Sequence, residues 1–118
     1  MNFKPLSKTE EITEKSILLE EFREAPRAGE GRMGQSHFFY RYFINARYVS
    51  YRKIQNAYLR VESGESGEFL LKEFYLILKL DDNTEGKLRF EREENVKRIL
   101  AYLEENYPRI EIGYKKGK

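Results

Sequence analysis

The stretch Ser36–Val61, SHFFYRYFINARYVSYRKIQNAYLRV, decides the fold. It is dense in aromatic and β-branched residues and contains no Asp or Glu. Such side chains pack well on a pleated surface and lose rotamer freedom in a helix, so the stretch reads as strands. Phe38–Phe43 alternates cleanly. Phe38, Tyr40 and Tyr42 fall on one face, and Phe39, Arg41 and Phe43 on the other. Ile44-Asn45-Ala46 is the expected tight reversal, because Asn45 tolerates positive φ. Arg47–Tyr51 is then a second strand and Ile54–Val61 a third.

Beyond Val61, ESGESGE (62–68) reads as an exposed polar loop with two glycines. Phe69–Leu80 is the most apolar run. Phe74, Leu76, Leu78 and Leu80 share a face, which predicts a central strand. Asp81–Gly86 supplies hairpin-turn residues, and Lys87–Glu91 returns with Leu88 and Phe90 inward. From Arg92 the period becomes helical. Val96, Ile99, Leu100, Leu103 and Tyr107 form one stripe, Glu93 and Glu94 sit in the positive first turn, and Pro108 stops the helix. Ile110 and Ile112 alternate in a short last strand, and a basic tail follows from Tyr114.

On the N-terminal side, AGEGRMG (28–34) is a turn or loop. It is not a phosphate loop, since no GxxxxGK opens a helix. Thr9–Glu24 is the expected N-terminal helix, capped by Ser7 or Thr9 and carrying Ile12, Leu19 and Phe22 on its apolar face. Ser16–Leu19 alone also fits a short strand. Residues 1–8 read as a flexible leader and 9–30 as helix and loop. Residues 31–114 hold the sheet plus helix, and 115–118 are a basic tail, all in one domain of 118 residues.

Antiparallel strands closed by one C-terminal amphipathic helix make an α+β layout. Tyr48–Ile54, Leu59-Arg60-Val61, Tyr75–Leu80, Asp81-Asp82-Asn83, Lys87–Phe90, Glu93–Tyr107 and the closing Asn106–Ile110 with Ile112-Gly113-Tyr114 resemble the pleckstrin-homology-like (PH-like) domains of uncharacterised bacterial families. The resemblance covers roughly Arg32–Tyr114. It implies a curved antiparallel sheet or partly open barrel closed by the helix, with the N-terminal helix as an addition. It also implies a non-catalytic platform for lipid heads, peptides or proteins. A proline often stands in such domains where this chain has Ser50. Phosphoinositide-binding members carry basic clusters across their first strand pair, whereas here Arg41 and Arg47 flank the Asn45 turn.

Charge and chemistry narrow the function. Lys and Arg number 22 against 20 Asp and Glu, but residues 31–61 carry six basic and no acidic side chains. The absence of cysteine removes thiolate catalysis, Cys-based zinc sites and disulfides, and fits a cytoplasmic setting. No run approaches the ~20 apolar residues of a membrane span. His37, the single histidine, has no co-ligand at metal-binding spacing and reads as a surface residue at the start of a strand. Asp81 and Asp82 read as turn residues rather than an acid–base pair. A Ser36, His37 and Asp81 set exists on paper, but no GxSxG marks a nucleophile.

The expectation is therefore a non-enzymatic interaction module without a cofactor or metal. Its partner is a protein or a second copy, met through an edge strand at 110–114 or 38–43. The alternative is an anionic ligand, a membrane phospholipid headgroup or RNA, at the basic hairpin. The candidate ligand-binding residues are Arg41, Arg47, Arg52, Lys53, Tyr40, Tyr42 and Tyr51.

Overall fold

The computed structural model describes residues 1–66 and 69–114, so the basic tail 115–118 and the tip of the 62–68 loop lie outside the described residues. The fold is α+β, with two sheets and two α-helices among the described residues. The first sheet contains β1 (Asn2–Pro5), β2 (Arg27–Ala28), β3 (Gly31–Met33), β4 (His37–Tyr42) and β5 (Asn45–Ser50), in the order β1-β5-β4-β3-β2. The second contains β6 (Ile54–Ser66), β7 (Phe69–Leu80), β8 (Glu85–Phe90) and β9 (Glu111–Ile112), in the order β8-β7-β6-β9. Helix α1 spans Lys15–Glu24 and α2 spans Glu93–Asn106. A 3₁₀ turn, Tyr51–Lys53, passes the chain from one sheet to the other.

The main core lies between the sheets. Phe38, Tyr40 and Val49 from the first sheet meet Leu76, Leu78, Leu88 and Phe90 from the second, and Val96, Ile99 and Leu103 of α2 close the space. Gly31 is required there by close approach: a Cβ on it would come 2.7 Å from Ile99 Cδ1. A second, smaller cluster covers the opposite face of the first sheet. Leu18 and Phe22 of α1 pack on Phe39, Ala46 and Tyr48, with Phe3 at the margin. The rings of Phe3, Phe22 and Phe39 meet edge to face at 5.4–5.9 Å. Residues His37–Tyr40 are thus buried on both faces, so the first half of β4 carries no polar alternation.

Several expectations need correction. Residues 2–5 are not a loose leader but a strand, β1, running parallel to β5 with Asn2 opposite Asn45 and Pro5 opposite Tyr48. The first helix begins at Lys15 rather than Thr9, and Ile12 is fully exposed before it. Its buried face is Leu18 and Phe22, with Leu19 only part-buried. Ser7 does not cap α1; its hydroxyl donates to Asp82 Oδ2 at 2.9 Å and accepts the Thr9 N–H at 3.1 Å.

The polar segment 62–66 continues β6 instead of looping, because Glu62–Ser66 pairs with Phe69–Glu73 in an antiparallel ladder. The 38–43 segment is no edge. β4 lies between β3 and β5, its backbone hydrogen bonds taken on both sides. β9 does lie at an edge, parallel to β6.

Candidate functional site

The hairpin of β4 and β5 has two unlike ends. At the end nearest the 3₁₀ turn, carboxylates from the N-terminal segment engage the exposed donors. Glu21 Oε2 accepts from the backbone N–H of Ser36 (2.8 Å) and His37 (2.7 Å), while Glu21 Oε1 stands 2.7 Å from His37 Nδ1. Burial alone would raise the Glu21 carboxyl. The His37 ring and the two N–H groups more than reverse that and hold it below its ordinary value. His37 is buried rather than superficial, contrary to the sequence expectation. The carboxylate that reaches it is Glu21, whereas Asp81 lies 3.9 Å from Lys53, so the paper set of Ser36, His37 and Asp81 is not assembled. Glu10 accepts from Ser50 N–H at 2.8 Å and from the Ser50 hydroxyl at 2.5 Å. Glu11 pairs with Arg52 at 2.7 Å.

The other end is the reversal. It falls at Phe43-Ile44, not at Asn45, which is already in β5 opposite Tyr42. The core pattern fixes this register: a shift by one residue would turn Phe38, Tyr40 and Val49 away from the core. Phe43 consequently takes φ +54°. Positive φ at the first central position of a two-residue hairpin loop is ordinarily supplied by glycine. Tyr42, Phe43 and Ile44 are 62%, 76% and 72% exposed. They form the longest run of exposed large apolar side chains among the described residues.

Beside this tip, three arginines converge on the outer face of the first sheet, past the end of α1. Arg27 and Arg32 are directly opposite each other across β2 and β3. Arg41, on β4, donates its backbone N–H to the Glu30 carbonyl at 2.8 Å, which brings it alongside the β2–β3 turn. The three line a cavity of about 150 Å³ together with Gly29, Glu30 and Phe43. Arg27 Nε donates to Gly29 O and Arg41 Nε to Phe43 O, both at 2.9 Å. Arg32 donates to Phe22 O at 3.1 Å and lies 4.1 Å from the centre of the Phe22 ring. None of the three forms an ion pair among the described residues. Burial, then the charges of Arg27 and Arg41, pull Arg32 below the ordinary guanidinium value. Glu30 is the carboxylate in the cavity wall, and its Oε2 accepts the Glu91 N–H at 3.0 Å.

The residues expected to bind a ligand separate accordingly. Arg41, Tyr42 and Arg47 are at the tip end and exposed. Arg52 and Lys53 are in the 3₁₀ turn at the far end of β5, engaged by Glu11 and by Asp81 and Thr9. Tyr40 is a core residue whose hydroxyl donates to Arg89 O at 2.5 Å; burial, with the Glu30 charge, pushes it up to about 12. Tyr51 is also core. Its ring stacks on Tyr107 at 4.2 Å and its hydroxyl donates to Gly34 O at 2.7 Å. Arg27, Arg32, Phe43 and Ile44 were not singled out from sequence. Two signals pointed to them: arginines at both ends of the glycine-rich turn RAGEGR, and apolar residues where a hairpin loop is normally polar.

A cavity of about 530 Å³ runs along α1 and is lined by Glu20, Glu21 and Glu24 with Ile17, Met33 and Tyr102. Among the described residues no group of three or more His, Asp or Glu side chains is placed to hold a metal ion. No helix among the described residues is long and apolar enough to cross a membrane. No curated protein matches the chain, and no solved structure matches it. One family model does match, over residues 3–118, and the chain belongs to that family, a domain of unknown function designated DUF6709.

Proposed function

We propose that this chain is a non-catalytic binding module of PH-like architecture whose ligand is a phosphate-bearing anion, held by Arg27, Arg32 and Arg41. Two observations support the PH-like reading. The antiparallel run β2-β3-β4-β5 faces the antiparallel run β6-β7-β8, and a C-terminal amphipathic helix closes the space between them.

The observation that carries the ligand class is the state of the arginines. Arg27 and Arg41 each spend Nε on a backbone carbonyl, which leaves the terminal N–H groups of two planar forks without a carboxylate. Those forks match phosphate oxygens in bidentate geometry. A bound dianion would also relieve the mutual repulsion of like charges at neighbouring positions. The cavity, about 150 Å³, has room for a phosphate group.

The test is a titration with glycerol 3-phosphate at low salt, followed by amide and arginine side-chain NMR. Shifts should centre on Arg27, Gly29, Arg32 and Arg41, weaken as salt rises, and vanish in the double variant Arg27→Ala, Arg41→Ala. No shifts, or shifts indifferent to that variant, would overturn the reading.

Association with a protein is a second reading, favoured by one observation. Beyond the residues paired with β8, the β6–β7 hairpin extends as two strands alone, with Leu71 54% exposed on it and Val61 43% exposed at its base. Light scattering at high salt tests it: a dimer that persists supports association, and a monomer at all concentrations contradicts it.

A further inference from the structure

We infer that the β4–β5 tip is a membrane-docking device: Phe43 and Ile44 enter an anionic bilayer while the arginines beside them hold its phosphate groups. This rests on the phosphate-binding reading above and adds the source of the phosphate, a lipid surface rather than a free ester.

The order of side chains along the hairpin is the first argument. Outermost are Phe43 and Ile44, the most exposed of the large apolar residues after Ile12. Next comes Tyr42, an amphipathic ring of the kind that settles at a membrane interface. Behind it are Arg41 and Arg47, both exposed. Arg41 is two residues from Phe43. The Arg41 side chain reaches forward, and Nε donates to Phe43 O at 2.9 Å, so the guanidinium lies at the level of the tip backbone, at the base of the Phe43 and Ile44 side chains. Interfacial segments bury their apolar face ~5–10 Å into the boundary between headgroups and acyl chains, which leaves groups at the base of such side chains among the headgroups. Apolar tip, aromatic shoulder and cationic base therefore follow the polarity profile of a bilayer leaflet.

The second argument is charge. The cavity at the base of the tip is walled by Arg27, Arg32 and Arg41, with Glu30 tied to the Glu91 amide. No ion pair neutralises these arginines among the described residues. An anionic leaflet is complementary to this arrangement, and its attraction for each nearby basic residue is worth about 1 kcal/mol.

The third argument is the backbone at Phe43. A bulky residue at positive φ costs stability where glycine or asparagine would not. Strain retained at an exposed turn, for a side chain with little packing to repay it, points to a use outside the folded chain. RNA is less well matched. Tyr42 and Phe43 meet edge to face at 4.7 Å, and Ile44 completes the tip, so it presents no flat pair of rings for successive bases.

The experiment compares vesicles with soluble phosphate. The wild-type chain should co-sediment with vesicles of phosphatidylcholine mixed with phosphatidylserine and not with phosphatidylcholine alone. The variant Phe43→Ser, Ile44→Ser should lose partitioning by about tenfold or more. The single variant Ile44→Ser, which does not line the arginine cavity, should also weaken partitioning and should leave the melting profile and the glycerol 3-phosphate titration unchanged. The variant Arg27→Ala, Arg41→Ala should lose both activities. A wild-type chain that titrates with glycerol 3-phosphate but ignores vesicles would overturn the membrane inference alone. So would vesicle binding that survives Phe43→Ser, Ile44→Ser, or tip-dependent binding of single-stranded RNA without vesicle binding. A chain that neither titrates nor partitions would overturn the phosphate reading as well.

Discussion

The two ends of the β4–β5 hairpin carry similar numbers of basic residues and treat them in opposite ways. At the His37 and Ser50 end, Glu10, Glu11 and Glu21 arrive from the N-terminal segment and take up backbone N–H groups, a hydroxyl, an imidazole and a guanidinium. At the Tyr42 and Asn45 end no carboxylate answers Arg27, Arg32 or Arg41 with an ion pair among the described residues, and three apolar side chains face solvent on a turn whose φ favours glycine. One end is built for stability. The other gives up stability, and its exposed groups are complementary to an anionic, partly apolar surface.

Changes at the stabilised end should therefore be felt in folding. The largest effect is expected from Phe39→Ala, which empties the cluster that seats α1. Truncating a buried Phe costs about 3–5 kcal/mol, read as a lower denaturant midpoint. Next is Glu21→Gln, which removes a carboxylate from two backbone donors and the His37 ring, at about 2–3 kcal/mol. This effect has a pH signature. The folded-state value of Glu21 lies below its ordinary 4.5, so the stabilisation is complete above 4.5 and is lost as pH falls through the folded value. The difference between wild type and Glu21→Gln, followed by chemical denaturation, should be widest near neutrality and shrink in acid. A gap that is constant with pH would show that the contribution is packing rather than charge.

At the tip end the same kind of change should leave folding almost untouched. Arg41→Ala, at an exposed site without an ion pair, should alter stability by no more than about 0.5 kcal/mol while weakening the glycerol 3-phosphate titration. A large loss of stability would mean that Arg41 is a structural residue and would remove the contrast between the two ends.

Much of this hairpin was legible in the sequence, and what was not has a physical reason. Alternation located β8, aromatic and β-branched enrichment located β4, β5 and β7 to within a few residues, and the 3.6-residue period located α2. Local turn preference favours a reversal at Asn45, but the register demanded by Phe38, Tyr40 and Val49 sets it at Phe43-Ile44. β1 was invisible, since Asn2–Pro5 pairs in parallel with a strand about forty residues away, and no local pattern encodes that. The 62–66 segment lacks an apolar signature, and its pairing with Phe69–Glu73 is made by backbone groups that any side chain permits. Among the candidate residues near the tip, Arg41, Tyr42 and Arg47 are accessible to a reading of the hairpin alone. Arg27 and Arg32 are not, because the β2–β3 turn folds them against Arg41 across some ten residues of chain.

The most direct test of the contrast is a paired measurement on Phe43→Gly. Glycine removes the strain at φ +54° and the tip side chain together. The account predicts that the two readouts move in opposite directions: stability to denaturant rises by up to about 1 kcal/mol, and partitioning onto phosphatidylserine-containing vesicles falls. Stability that drops while vesicle binding stays at the wild-type level would contradict it, because Phe43 would then be serving the fold rather than a surface outside it.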